Sequence, residues 1–302
     1  MRNKTMNDLK IRENLEKTLA EFDYEADCRE ALLAVCDDIL ACDESREALE
    51  ARVSEYKGGV LDWAGITADA DRLAEAVGRL ISETRMIFFM ALIPYSYCFF
   101  EKKGLGYTEW YDSMIDFKWK ARETKRVHGV WGTHTNWFKM FFTADRVAFG
   151  RLQFNYGKAR MDFTCDEFSV KEGQMVIEIH IPEDDRWPFS REMREAAYER
   201  ARSFFAPDFE DGRVIFSCGS WLLHPEHRDF LPEGSNIRDF LNDFHLVEGS
   251  FKPTNDNFWR IFGTKEYNGD PDTLPEKTSL MRAYKAFVKG GGIPGSMLGY
   301  KL

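Results

Sequence analysis

The stretch Val176-Ile177-Glu178-Ile179-His180-Ile181 decides how the second half of this chain is read. Val176, Glu178 and His180 alternate with Ile177, Ile179 and Ile181, the period of a β-strand with one apolar and one more polar face. Upstream, Phe149, Arg151, Gln153 and Asn155 alternate with Gly150, Leu152, Phe154 and Tyr156. Arg160, Asp162 and Thr164 alternate with Met161, Phe163 and Cys165. Downstream, Ser190 opens a predicted helix with Met193, Ala197, Ala201 and Phe204 turned inward, and Pro207 stops it. A strand over 214–219, a short helix over about 235–243, a strand through Leu246 and Val247, and a last helix from near Pro275 to Gly290-Gly291-Gly292 complete the pattern. The Gly-rich tail through Gly295 lacks a phosphate-loop spacing and reads as a helix C-cap and turn.

The first half carries the helical period instead. Ile11, Leu15, Thr18 and Leu19 form one face, Leu32, Val35, Cys36, Ile39 and Leu40 a second, and Leu49, Val53 and Tyr56 a third before Gly58-Gly59. Longer helices are predicted over 69–97 and 108–127, the first kinked or ended near Pro94, and a short one over 135–142. The period changes near residue 146. The expected fold is therefore α+β: an all-helical domain over 1–145, then a mixed β-sheet domain flanked by helices over 146–302.

Composition narrows the function classes. The 302 residues exceed what one core usually serves. A formal charge of −10 argues against nucleic-acid and anionic-membrane partners. The basic run from Lys118 to Arg126 sits in a helical pattern with Glu123 and reads as a solvated face. The N-terminus is charged and has no apolar signal region, and the uncharged run Met86–Phe100 is too short to span a bilayer, which takes about 20 residues. The six cysteines, at no metal spacing, read as free, buried thiols of a cytoplasmic protein.

Glu178 and His180 share a strand face, roughly 7 Å apart at Cα from strand rise. A carboxylate beside an imidazole can tune a general base; the plain alternative is a half-exposed sheet face. Arg151 and Gln153 on the earlier strand can look into the same cleft. His224, His227 and His245 lack a zinc spacing, and no metal is expected. His128 and His134 read as loop or core residues, and no GxSxG elbow is present. The aromatics Trp110, Tyr111, Trp119, Trp131, Trp137, Phe138, Phe141 and Phe142 read as core packing, or else as a wall for an apolar ligand such as an acyl chain.

Gly150-Arg151-Leu152-Gln153-Phe154, Ile179-His180-Ile181-Pro182, Ala201-Arg202-Ser203-Phe204-Phe205, the run Ser217–Pro225, and Ser235-Asn236-Ile237 together resemble a bacterial family of acyltransferase domain-containing proteins. These have a helical N-terminal domain and a GNAT-like C-terminal domain, and the likeness covers most of the chain. It implies an acyl-CoA-dependent N-acyltransferase, with acyl-CoA or acetyl-CoA as co-substrate and a small-molecule or peptide amine as acceptor. The thioester would enter between two splayed central strands, 176–181 and 214–219. Glu178 and His180 are the implied base or amine-recognition residues. Asn236 is placed at the pantetheine arm or the leaving thiolate. Ile181, the last donor before Pro182, falls on the cofactor side with Arg186, Ser190, Arg191 and Arg194. Arg151, Gln153, Ser220 and Trp221 fall on the substrate side. The departure is the loop Glu183-Asp184-Asp185-Arg186-Trp187-Pro188-Phe189-Ser190. It has no glycine and three carboxylates where the family's loop cradles a pyrophosphate. The alternative is a GNAT-like module that binds an apolar or acyl ligand without turnover.

Overall fold

The structure, a computed structural model, describes residues 10–264 and 267–302. It divides into two compact units, Met1–Val147 and Ala148–Leu302.

The described part of the first unit is helical: α1 Ile11–Glu21, α2 Ala26–Ala41, α3 Asp43–Lys57, α4 Trp63–Leu73, α5 Ile81–Met90, α6 Tyr97–Lys102, α7 Tyr107–Met114, α8 Asp116–His128 and α9 Lys139–Phe142. The apolar faces of α1, α2 and α3 are buried as their spacing requires. The single long helix expected over 69–97 is instead two helices and a 3-10 turn. A turn with Gly78 in the left-handed region separates α4 from α5, and Glu83 caps α5 by accepting from Leu80 N at 2.9 Å. Ile93–Tyr95, with Pro94, forms the 3-10 turn. The helix expected over 108–127 is likewise broken at Ile115 between α7 and α8, and that over 135–142 shrinks to α9. Apolar periodicity passes through such breaks because both flanking helices face one core. Phe117 and Phe138 stack at 3.8 Å there, and Phe141 and Phe142 are buried, as core packing predicts.

Two expectations are corrected. The basic run is a solvated face only in its second half, where Lys125 and Arg126 are exposed; Lys118 and Lys120 are 6% and 5% exposed. Lys118 Nζ donates to Phe22 O (3.2 Å) and Asp23 O at the C-terminal end of α1, where a cation meets the negative end of the dipole. Lys120 pairs with Glu123 at 2.7 Å. The cysteines are free, yet only Cys28, Cys36 and Cys218 are buried; Cys98 is exposed.

The remaining elements are β1 Arg146–Phe149, β2 Leu152–Lys158, β3 Phe163–Thr164, β4 Ser169–Val170, β5 Met175–His180, α10 Arg191–Phe205, β6 Phe216–Ser220, α11 His227–Phe230, α12 Asn236–Leu241, β7 His245–Leu246, β8 Lys252–Pro253, α13 Phe258–Phe262, α14 Ser279–Lys289 and β9 Gly295–Lys301. The main sheet runs β1-β2-β5-β6-β9-β7, with β8 on β9 and β3-β4 as a separate ribbon. Only the β5–β6 register is parallel among those resolved, so the sheet is mixed. Gly295, expected as part of a turn, instead opens a strand over 295–301 bonded to β6, β7 and β8. Gly290 and Gly291 do close α14 as predicted. α10 lies on one sheet face, with Tyr198 against Phe216 (5.7 Å) and Phe205 against Tyr156 (5.0 Å). No helix among the described residues is long and apolar enough to cross a membrane.

Candidate active site

Strand register determines which side chains meet. β2 and β5 pair antiparallel with Gln153 opposite His180 and Asn155 opposite Glu178. Directly opposed residues share a face, so these four stand together on the face away from α10. β5 pairs β6 in parallel, Ile177 with Phe216 and Glu178 with Ser217, and the pairing stops there. Beyond it Ile179, His180 and Ile181 face a strand that has moved away. Ile177 N donates to Ile215 O at 2.9 Å, so its N–H points toward β6. Strand alternation turns the amide of Ile179 to the same side, toward the opening.

A polar file crosses this face. His180 Nε2 is 2.6 Å from Asn155 Oδ1. Asn155 Nδ2 donates to Glu178 Oε2 (3.2 Å) and to Tyr156 O (2.9 Å). Arg160 Nη2 pairs with Glu178 Oε1 at 3.2 Å. The segment bearing Arg160 is pinned by Tyr300, whose hydroxyl accepts from Arg160 N and donates to Met161 O, both at 3.1 Å. Two glycines floor the file. A Cβ on Gly157 would lie 2.4 Å from Glu178 Cγ, and one on Gly219 would lie 2.9 Å from Arg160 Nη1. Gln153 is 4% exposed and its Nε2 has no hydrogen-bond partner, a costly state for a buried amide.

The other predicted residues are placed differently. Arg151 precedes β2, donates to Pro182 O at 2.6 Å and lies over the Phe189 ring; burial pulls its guanidinium below its ordinary value, against Asp184 and Glu183. Ile181 follows β5 directly. Asp184, in the glycine-free loop, is buried and bound at both oxygens by Arg186, so one of the three carboxylates is neutralised within the loop. Ser190 caps α10 by accepting from Met193 N. Arg191 and Arg194 bind carboxylates of the chain. Arg191 Nη2 is 2.5 Å from Asp239, and the fully buried Arg194 reaches Asp239 (2.8 Å), Asp243 (2.7 Å) and Phe189 O (3.1 Å). Together they tie α10 to α12. Asn236 is exposed on the first turn of α12. Ser220 caps the turn after β6 by accepting from Leu222 N, and Trp221 packs on His227 and Tyr284.

His224 and His227 are fully buried. His224 Nε2 meets Ile293 O at 2.9 Å, and His227 meets Leu222 O and the Tyr284 hydroxyl. Among the described residues no group of His, Cys, Asp and Glu could hold a metal ion. Sequence reasoning missed Asn155 and Arg160 as site residues. Asn155 shares the parity of Gln153, a usable signal, but its partnership with His180 needs the register.

An N-acyltransferase N-terminal domain model matches residues 13–144 and a GNAT-like C-terminal domain model matches residues 147–301, just over half of the chain. The chain belongs to this two-domain N-acyltransferase family. As a family member it shares its fold with solved acyltransferases. One, in complex with decanoyl-CoA and teicoplanin, has a TM-score of 0.72 and 20% identity, over 96% of this chain and 87% of that one. A mutant acyltransferase in complex with octanoyl-CoA gives the same values. A complex with CoA and 10C-teicoplanin gives 0.70 and 19%, over 94% and 86%. No curated protein matches this N-acyltransferase family member in sequence.

Proposed function

We propose that the protein transfers an acyl group from an acyl-CoA thioester to an amine, with His180 as the base. The observation that carries this reading is the parting of β5 from β6 after Glu178 and Ser217, with His180 on the rim. A thioester fits such a gap because a backbone amide of this edge, that of Ile179 in the strand or of Ile181 just past it, supplies a donor where negative charge develops on the carbonyl oxygen. Bound acyl-CoA supplies the activated carbonyl carbon and a thiolate leaving group. The amine nitrogen forms the C–N bond as the C–S bond breaks. His180 takes the ammonium proton, and the proton ends on the departing sulfur.

The α10 N-terminus, capped by Ser190, is the expected pyrophosphate anchor through its backbone donors. Arg191 and Arg194 act there through Asp239 and Asp243, by fixing the helix. Decanoyl-CoA with an amine-bearing glycopeptide is the first substrate pair to try, since proteins of the same fold are in complex with decanoyl-CoA and teicoplanin and with octanoyl-CoA. Replacing His180 with Ala should lower kcat by about 10²–10⁴-fold, the usual contribution of a general base, at unchanged melting temperature. Full turnover in that variant removes His180 from the mechanism.

The second reading, a module that binds without turnover, is favoured by the exposed Glu183 and Asp185 beside the expected pyrophosphate position. Calorimetric titration with CoA and decanoyl-CoA separates the two: binding accompanied by acylated amine supports the enzyme, and no binding of either overturns it and leaves the module with a different apolar ligand.

A further inference from the structure

The polar file fixes more than the position of His180. Tyr156 O is a backbone carbonyl and can only accept, so the group of Asn155 that meets it at 2.9 Å is the amide NH₂. The same NH₂ donates to Glu178 Oε2, whose other oxygen is held by Arg160. The amide orientation is thereby determined, and the atom left facing His180 is Oδ1, which also only accepts. At 2.6 Å from that oxygen, His180 Nε2 must carry a hydrogen.

We propose that Asn155 is a positioning residue that holds neutral His180 in the Nε2–H tautomer, making Nδ1 the basic nitrogen. Asn155 is 2% exposed, so water does not substitute for it. A proton gained at Nδ1 leaves both nitrogens as donors. The Nε2–H···Oδ1 bond then becomes charge-assisted, and the Glu178 carboxylate stands behind the Asn155 dipole to favour the cation. Gly157 makes this possible from the strand side, because any Cβ there displaces Glu178 from its place behind Asn155. The tautomer follows from the hydrogen bonds alone; the role as base-positioning residue rests on the acyl-transfer reading.

The test is ¹⁵N NMR of the histidine-labelled full chain, with the His180 signals assigned by their absence in His180→Gln. Two-bond couplings distinguish a protonated Nε2 from a protonated Nδ1. The wild-type protein should show the Nε2–H tautomer, and Asn155→Ala should show a mixture or the reverse. Asn155→Asp, which keeps an accepting oxygen, should retain Nε2–H. An Nδ1–H tautomer in the wild type, or an unchanged pattern in Asn155→Ala, overturns the proposal. The wild-type spectrum needs no variant to fold. In turnover assays Asn155→Ala should lower kcat with little change in KM for acyl-CoA. A protein showing the Nε2–H tautomer with no acyl transfer under any condition would sink the enzyme reading and leave the tautomer assignment standing.

Discussion

Gly157 and Gly219 both lie under the file, yet they differ in what crowds them. At Gly157 the obstacle is Glu178 Cγ, close to the backbone of β5 and held on both oxygens. Gly157→Ala is expected to cost about 1–3 kcal/mol, as overpacking does, readable from a urea midpoint. At Gly219 the obstacle is the tip of Arg160, whose side chain is 60% exposed and can swing away. Gly219→Ala should stay within about 0.5 kcal/mol of wild type while releasing Arg160 from its present position. Equal losses in the two variants would show that the floor, and not the groups on it, sets the cost. A second residue-scale effect comes from His227, which burial, aided by His224, pulls down to about 3. Its folded value lies below the unfolded one of about 6.5, so the unfolded chain binds more protons in between. That contribution to stability is full above about pH 6.5 and is lost as pH falls toward 3, with a limiting slope of about 1.4 kcal/mol per pH unit. Stability measured from pH 6.5 to 4.5 should fall along this slope and flatten in His227→Gln; the same slope in both proteins would discount His227.

Between elements, the α10–α12 clamp is the feature most exposed to a single change. Arg194 is fully buried against Asp243 and Asp239, and Tyr198 also donates to Asp243 at 3.0 Å. Asp243→Ala leaves a buried cation short of its partner and should cost about 3–5 kcal/mol, seen as a lowered melting temperature; a loss below 1 kcal/mol would mean that Asp239 alone suffices. Hydrogen bonding, from Arg191 first and then Arg194, holds the Asp239 carboxyl down to about 2. Its stabilisation is therefore present above the unfolded value of about 3.9 and lost as pH falls through 2. Asp239→Asn should remove that component of an acid titration. The strand and helix identities that position the site were legible: the alternation at 176–181, the Ser190 cap and the α12 start all follow from local spacing. What stayed hidden was non-local. Asp239 and Asp243 look like helix-surface residues until α10 is placed beside them, and the Arg186–Asp184 pair turns what reads as a repelling loop into a partly neutralised one. The helix breaks at 74–80 and Ile115 were hidden because both sides feed one core, and the strand over 295–301 because Gly295, at its start, continues a glycine-rich run that reads as turn.

For the molecule as a whole, any ligand that binds only the folded state must stabilise it. A decanoyl-CoA concentration 100 times its Kd should add about 2.7 kcal/mol, visible as a raised melting temperature. A melting temperature unmoved at millimolar ligand would argue against a CoA site of any useful affinity. The net charge of −10 works against a tetra-anionic nucleotide at long range, so binding should strengthen as salt rises toward physiological values. The place of β9 has a different bearing. It lies between β6 and β7 in the sheet order, and Ser217 and His245 are both paired with Tyr300. During synthesis at about 5–20 residues per second, β6 therefore waits for a neighbour made some eighty residues later, about four to sixteen seconds at that rate. Throughout that interval β6 presents an open edge. Nascent chains stalled before residue 295 should accordingly be the ones that chaperones hold and proteases cut, while the helical first unit, synthesised before β6, can already be folded at the ribosome surface.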